Sequence, residues 1–172
     1  MRDRPAHVGD ARGCLSRIAA ALPSIKRALY WSIPTVRIEV GYPRARAALL
    51  AAASGHDVRR NLESVRRDIA LLEHTRRAYA VALALSLYPC LLALEGAPEA
   101  QLATALGEAL SGCERAGLRL QAEAIRHRLG SLLGGELGET LTGQAVRSLR
   151  NCGVREPIRL ICALTPGCGG RG

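Results

Sequence analysis

Three alanine- and leucine-rich stretches of this 172-residue chain each end at a glycine, and these glycines recur at nearly constant spacing. Gly55 and Gly96 are 41 residues apart, and Gly134 follows Gly96 after 38 more. Glycine is the usual residue for the left-handed turn that ends a helix. Because a second helical stretch follows each of the first two, the period predicts helix pairs of roughly 40 residues that stack on one another.

Apolar residues recur at helical spacing within these stretches. Leu62, Val65, Ile69 and Leu72 follow one another at three- and four-residue steps, which places them on one face of a helix. Aromatic residues make up only 3% of the chain and Phe is absent, so the core must consist of Leu, Ala, Ile and Val. The predicted fold is therefore all-α, with antiparallel helix pairs stacked as a short solenoid. The leucines predicted to be buried are Leu62, Leu72, Leu85, Leu106, Leu129 and Leu132.

The domain organisation predicted from these patterns is simple. Residues 10–165 are expected to form a single helical-repeat domain, flanked by flexible tails at 1–9 and 166–172. Asp10 is placed to cap a first helix that Pro23 ends. Residues 36–40 alternate between apolar and polar side chains, which suggests a strand, although residues 35–43 could also be a helix or a break.

The uncharged run 78–94 could be a membrane span or a core helix. It is shorter than the ~20 apolar residues that a bilayer requires, and much of it is alanine. A helix that is apolar on all sides is typical of the centre of a bundle. We therefore predict that the helix over residues 76–95 is the central, most buried element and that the chain has no membrane span. Pro89 predicts a kink within this helix.

The stretch RLGSLLGGELGETL, residues 128–141, raises the question of a phosphate-binding loop. Such a loop follows a strand and supplies a lysine to the phosphates. Here Gly134 and Gly135 follow a helical pattern, and no lysine is near. The glycines are therefore interpreted as the end of one helix and the start of the next, and no nucleotide binding is predicted.

No pattern of catalytic or metal-binding residues is found. The cysteines contain no C-x-x-C pair, and a zinc site built from Cys152, Cys162 and Cys168 with His127 matches no usual ligand spacing. Cys90 falls inside a helical pattern, where a free cysteine behaves as a small buried hydrophobe. Cys113 has the same context. The prediction is that the chain has no catalytic residue, no metal and no cofactor.

The net charge of +9 is concentrated near the N-terminus, because residues 1–50 carry nine basic and three acidic side chains. Cations alternate there with Tyr30, Trp31 and Tyr42. Arginine and aromatic side chains together can bind nucleic acid by phosphate contact and base stacking. Alternatively, the cations bind an acidic protein while the aromatic rings seal the first helices. The candidate partner-binding face consists of Lys26, Arg27, Arg37, Arg44 and Arg46.

A second group of arginines lies on the helix that follows Asp57. Arg59 and Arg66 recur seven residues apart, as do Arg60 and Arg67. Acidic residues lie between them, so a solvated helix face is favoured over a nucleic-acid-binding stripe.

The chain resembles the C-terminal helical-repeat region of large myxobacterial serine/threonine protein kinases. The resemblance covers residues 10–167, and its most specific parts are RHRLGSLLGGELG at 126–138 and GVREPIRLICALTPG at 153–167. It implies a TPR-like fold. In such regions the segment corresponding to 35–53 is one unbroken helix, whereas this chain has Gly41 and Pro43. None of the kinase motifs G-x-G-x-x-G, V-A-I-K, H-R-D or D-F-G occurs.

The resemblance implies a regulatory or scaffolding role and brings no catalytic residue with it. The function predicted is therefore a non-catalytic, cytoplasmic module for protein–protein interaction, related to bacterial serine/threonine kinase signalling. The alternative is a basic helical module that binds nucleic acid through the N-terminal arginines and aromatic residues. The two differ in salt response, since phosphate binding weakens steeply with ionic strength.

Overall fold

The computed structural model describes residues 11–28 and 30–169, which form eight α-helices and one 3₁₀ turn. The turn is Tyr30–Ser32. The helices are α1 Ala11–Arg27, α2 Pro34–Ala53, α3 Val58–His74, α4 Ala78–Glu95, α5 Glu99–Arg115, α6 Arg119–Leu133, α7 Gly135–Asn151 and α8 Pro157–Leu164. No strand is present in these residues. The prediction of an all-α fold is confirmed.

The helices pack in the order in which they follow along the chain. Each helix from α1 to α8 contacts the next one. Two further contacts join helices that are not neighbours in sequence, because α2 packs against α4 and α6 packs against α8. This arrangement is a helical bundle, and it brings residues of α2 and α4 together.

Residues 35–43, for which the sequence left a strand, a helix or a break open, are helical, because α2 is a continuous helix from Pro34 to Ala53. Pro34 is at the first turn, where a missing N–H costs nothing. Ile38 is buried and begins a helical face that continues through Tyr42 and Leu49. Pro43 is exposed and is accommodated inside the helix. Burial of one helical face therefore outweighs the local alternation that suggested a strand.

Gly41 marks the close approach of α2 to α3. A Cβ atom at this position would lie 3.3 Å from Cδ2 of Leu71. The glycine that suggested a break in the sequence therefore serves packing between two helices.

The first helix extends further than predicted. α1 continues through Pro23 to Arg27, and Pro23 is exposed. The expected cap Asp10 and the expected tail 1–9 lie outside the described residues. The start of α3 is as predicted, since Asp57 directly precedes the helix. The side chain of Asp57 makes no capping hydrogen bond, and the backbone of Asp57 is left-handed.

The hydrophobic core contains three clusters. The largest joins α2, α3 and α4 around Leu49, Leu72 and Leu87. The second lies between α5 and α6 around Leu106 and Ile125. Leu62, Leu72 and Leu106 are buried as predicted, whereas Leu85, Leu129 and Leu132 are partly buried and pack against the second cluster. The third cluster consists of Ala124, Leu149, Ile161 and Leu164, and it fixes α8 on α6 and α7.

α4 has more buried residues than any other helix of the described chain, as predicted. Its length and composition would also allow it to cross a membrane, with a mean hydropathy of 1.7. However, 56% of it is buried inside the fold, and core helices meet the same criteria. The helix ends at Gly96, whose φ of 76° is left-handed. We therefore interpret α4 as the central core helix.

Candidate functional site

Residues 161–168, near the end of the described chain, contact the three helices α2, α4 and α6. We call residues 161–168 the C-terminal segment. It contacts Arg46, Cys90, Leu94 and Arg128, and Tyr42 lies against Arg46. We call these five residues the α2–α4–α6 face. These residues are up to 86 positions apart in sequence, from Tyr42 to Arg128. Helix packing alone brings them together.

Two arginines of this face bind the C-terminal segment. Arg46 of α2 donates from Nε and Nη2 to the main-chain carbonyl of Ala163, at 3.1 and 2.6 Å. Arg128 of α6 donates from Nε to the hydroxyl of Thr165 at 2.9 Å. Thr165 is buried, and its hydroxyl donates a hydrogen bond to the main-chain carbonyl of Ile161. The two guanidinium groups therefore hold a polypeptide through a main-chain oxygen and a small hydroxyl.

The central helix supplies apolar contacts to the same segment. Gly167 approaches Leu94 so closely that a Cβ atom on the glycine would lie 2.7 Å from Cγ of Leu94. Sγ of Cys168 is 3.5 Å from Sγ of Cys90. The segment 166–172 was predicted to be a tail, yet Pro166 is buried and Cys168 packs against the largest core cluster.

The floor of the α2–α4–α6 face contains a buried tyrosine. Arg46 lies over the ring of Tyr42, 5.6 Å from its centre, and the ring is buried. Burial raises the pKa of Tyr42, and the nearby charge of Arg46 offsets part of that increase. Its hydroxyl is buried, with Ser86 and Gln121 as polar neighbours.

The structure divides the predicted cationic face. Arg44 forms a bidentate salt bridge with Asp68 of α3, in which Nε lies 3.2 and 3.0 Å from the two carboxylate oxygens. Asp68 is only 1% exposed. Burial raises the pKa of Asp68, and Arg44 offsets part of that effect. The guanidinium groups of Arg44 and Arg46 are therefore both paired within the described chain, with Asp68 and with the carbonyl of Ala163.

The other predicted cations lie at the junction of α1 and α2. The ammonium of Lys26 is 5.6 Å from the centre of the Trp31 ring. Arg27 is exposed in the last turn of α1. Arg37 donates from Nη2 to the carbonyl of Ser32 at 3.5 Å, while its Nε is buried and has no partner among the described residues. Because Lys26 and Arg46 cover the rings of Trp31 and Tyr42, base stacking on these rings is disfavoured.

The arginines of α3 form a solvated, largely paired face. Arg59 donates to Glu63 at 3.1 Å, and Arg66 donates to Glu95 of α4 at 2.5 Å. Arg67 donates to the main-chain carbonyl of Glu63 at 3.3 Å. Exposed ion pairs of this kind contribute little free energy. An open depression of about 410 Å³ lies beside these arginines, at the start of α3. Its described lining, residues 57–60 and Glu63, contains no cluster of catalytic groups.

The glycine-rich stretch joins α6 to α7. Gly134 and Gly135 have left-handed φ values of 64° and 59° and turn the chain between the two helices. Gly130 and Gly138 lie where these helices cross, since a Cβ atom on Gly130 would be 2.8 Å from the carbonyl oxygen of Gly138. Two of the four glycines therefore make the turn, and two allow the backbones to meet.

The residues considered for zinc are dispersed. Cys152 and Cys162 are exposed, and the described part of the chain contains no group of three side chains that could hold a metal ion. Burial and the nearby charge of Arg128 lower the pKa of His127. Cys113 is buried as predicted, and its pKa is raised to about 11 chiefly by that burial.

Sequence reasoning missed the C-terminal segment because it treated everything after residue 165 as a tail. The apolar residues of α8 lead without interruption into Thr165 and Pro166, and that continuity was the available signal. The partners of the segment, Arg46 and Arg128, are 117 and 37 residues away from their contacts. No local pattern indicates such pairs.

Comparison with known proteins adds no family to these observations. No family model matches the chain, and neither curated proteins nor solved structures show significant similarity to it. The resemblance to kinase helical-repeat regions therefore stays a prediction.

Proposed function

We propose that this chain is a non-catalytic, TPR-like helical-repeat module that binds a segment of another protein on the α2–α4–α6 face. The helix pairs would be α2 with α3, α4 with α5 and α6 with α7, and α8 would close the last pair. The contacts of α2 with α4 and of α6 with α8 support this arrangement, because stacked repeats place every second helix on the same side. In line with the resemblance, the module would serve as a scaffold in bacterial serine/threonine kinase signalling.

The observation that carries this proposal is the recognition of Ala163 and Thr165 by Arg46 and Arg128. A main-chain carbonyl and a small hydroxyl are features that many peptide segments share. The α2–α4–α6 face thus already holds a stretch of polypeptide, which is the chain's own C-terminal segment. A partner segment would take the same position once the C-terminal segment leaves.

The charge of the face favours an acidic partner. Without the C-terminal segment, the face would present the guanidinium groups of Arg46 and Arg128 around an apolar centre at Cys90 and Leu94. Arginine binds carboxylates in a bidentate manner, and opposite charge accelerates association. We therefore expect the partner segment to combine apolar side chains with one or more carboxylates.

Gly167→Val provides a direct test, because the valine side chain would collide with Leu94 and expel the C-terminal segment. Gly153→Val is the matched control. The two glycines have φ values of 83° and 84°, so both substitutions strain the backbone, but no atom lies within 4 Å of the Cβ position at Gly153 in the described chain. Removal of an intramolecular competitor should tighten partner binding by about tenfold or more in Gly167→Val alone.

The measurement begins with proteins captured from a bacterial lysate, each then titrated as a purified partner. Affinity is compared among the wild-type chain, Gly167→Val, Gly153→Val, and Arg46→Gln combined with Arg128→Gln. The proposal requires tighter binding to Gly167→Val and loss of binding when the arginines are replaced. Equal affinity for all four chains would place the partner elsewhere. Capture of RNA or DNA alone, with a steep salt dependence, would favour the nucleic-acid alternative.

A further inference from the structure

Two cysteines meet where the C-terminal segment crosses the central helix. Sγ of Cys168 is 3.5 Å from Sγ of Cys90, although the residues are 78 positions apart in sequence. Both are free thiols. Cys90 is fully buried in α4, and Cys168 is partly exposed.

The surroundings of the two thiols give them different reactivity. The hydrogen bond between Cys168 and Cys90 and the nearby charge of Arg128 lower the pKa of Cys168. The same hydrogen bond, together with complete burial, raises the pKa of Cys90 well above its ordinary value. The thiolate is the reactive form of cysteine. Cys168 is therefore the thiol that reacts first, and Cys90 is the thiol that reacts with the oxidised Cys168.

We propose that Cys90 and Cys168 form a reversible disulfide when the protein meets a peroxide, and that this bond fastens the C-terminal segment to α4. The proposal stands on the short separation of the two sulfurs, on the accessibility of Cys168 and on the position of Arg128 beside it. The other cysteines of the described chain have no sulfur neighbour at comparable distance among the contacts observed.

The reaction has two steps. The thiolate of Cys168 attacks one oxygen of hydrogen peroxide, the O–O bond breaks, and hydroxide leaves, which gives a sulfenic acid on Cys168. The thiol of Cys90 then attacks the sulfenic sulfur, the S–S bond forms, and the S–O bond breaks. The proton of Cys90 leaves with the departing oxygen as water. In total, two thiols lose two electrons and two protons, and the peroxide becomes two molecules of water.

Only a small movement is needed to form the bond. A disulfide has an S–S length of about 2.05 Å, so the sulfurs must approach by about 1.5 Å. Cys168 is flanked by Gly167 and Gly169, and glycine permits the required backbone adjustment. Cys90, on the rigid helix α4, supplies a fixed partner.

The disulfide itself does not depend on the proposed function, whereas its effect on partner binding rests on it. In the reduced protein the C-terminal segment would be held by two arginines and packing contacts, and it could exchange with a partner. In the oxidised protein it would be covalently attached to the α2–α4–α6 face. Oxidation would therefore prevent partner binding, and a thiol reductant would restore it.

The experiment treats the full-length chain with hydrogen peroxide and digests it after glutamate without reduction. The fragment 74–95 then contains Cys90 as its only cysteine. The bond between Glu156 and Pro157 resists cleavage because proline follows the glutamate, so the other fragment is 140–172, which contains Cys152, Cys162 and Cys168. We expect these two fragments to be linked, with the loss of two hydrogens, in the wild-type chain and in Cys162→Ser. The link should be absent in Cys168→Ser. Because the bond closes a loop of 78 residues, oxidation should raise Tm by about 5–15 °C in the chains that form it.

Three results separate this inference from the proposed function. If Cys168 is recovered as a sulfinic acid without the link, or if the link persists in Cys168→Ser, the inference is overturned whatever the partner does. If the link forms and Tm rises, the inference holds. Partner binding that is unchanged by this oxidation would then contradict only the proposed binding face. Cys152→Ser serves as a control for an exposed thiol and should change neither the link nor Tm.

Discussion

Replacing Gly138 with valine is expected to lower the free energy of unfolding by more than about 3 kcal/mol. A Cβ atom at this position would collide with the carbonyl oxygen of Gly130 in the facing helix α6. The obstacle is backbone, which cannot rotate away as a side chain can. α6 and α7 would have to separate, and the packing of α8 on both helices would be lost with them. Urea denaturation followed by circular dichroism measures the change.

Gly107→Ala is the matched control for this substitution. Gly107 is also inside a helix, α5, but no atom of the described chain lies within 4 Å of its Cβ position. Alanine should therefore stabilise the protein by about 0.5–1 kcal/mol, because it restricts the unfolded chain and favours the helix. If Gly138→Val and Gly107→Ala changed stability by similar small amounts, the close crossing of α6 and α7 would be wrong.

Gly138 and Gly107 show which roles of glycine can be predicted from the sequence and which cannot. The pattern of the glycine-rich stretch correctly predicts a helix end followed by a helix start, because left-handed glycines have a local role. It does not distinguish Gly130 and Gly138, which permit a contact between two helices, from Gly107, whose Cβ position has no atom of the described chain within 4 Å. That difference depends on which face of α6 meets α7, and this is determined by packing.

Proline and alternation misled the sequence analysis at the N-terminal end. α3 was predicted because its apolar residues follow a helical period, and α4 and α6 were predicted because their apolar stretches end at Gly96 and Gly134. In α1 and α2, Pro23 and Pro43 both lie inside helices. Both are exposed, so solvent can reach the helix where a hydrogen bond is missing. The burial of Ile38 and Leu49 on one face then favours a continuous helix.

The candidate site was harder to predict than the fold. Sequence analysis grouped cations that are close in the chain, whereas the structure separates them by the helix face on which each one lies. Arg44 and Arg46 are two positions apart on α2. Arg44 nevertheless pairs with Asp68 of α3, whereas Arg46 binds the carbonyl of Ala163 in the last turn of α8. Since successive helix positions are about 100° apart, two-residue neighbours face different directions.

Replacing Arg44 with leucine is expected to lower the free energy of unfolding by about 3 kcal/mol. The substitution leaves the carboxylate of Asp68 buried at 1% exposure without its counter-charge. The double variant Arg44→Leu with Asp68→Leu removes both charges and should recover most of the loss, since the desolvation cost of the ions disappears with them. Arg59→Leu is the control, because the side chain of Arg59 is 95% exposed and its ion pair with Glu63 contributes little.

The pH dependence of Arg44→Leu distinguishes loss of an ion pair from loss of packing. Burial already raises the pKa of Asp68 in the folded state above its ordinary value of 3.8, and Arg44 opposes that increase. Without Arg44 the folded-state pKa rises further. A carboxyl group whose pKa is higher in the folded state than in the unfolded state stabilises the folded protein when the group is protonated. This contribution to the free energy of unfolding is complete below the unfolded-state pKa and is lost as the pH rises through the folded-state pKa. The deficit of Arg44→Leu relative to the wild type should therefore be greater at neutral pH than at acidic pH, because Asp68 of the variant gains its proton at a higher pH than Asp68 of the wild type. A deficit that is equal at both pH values would mean that Arg44 stabilises α2 and α3 through the packing of its aliphatic chain and not through its charge.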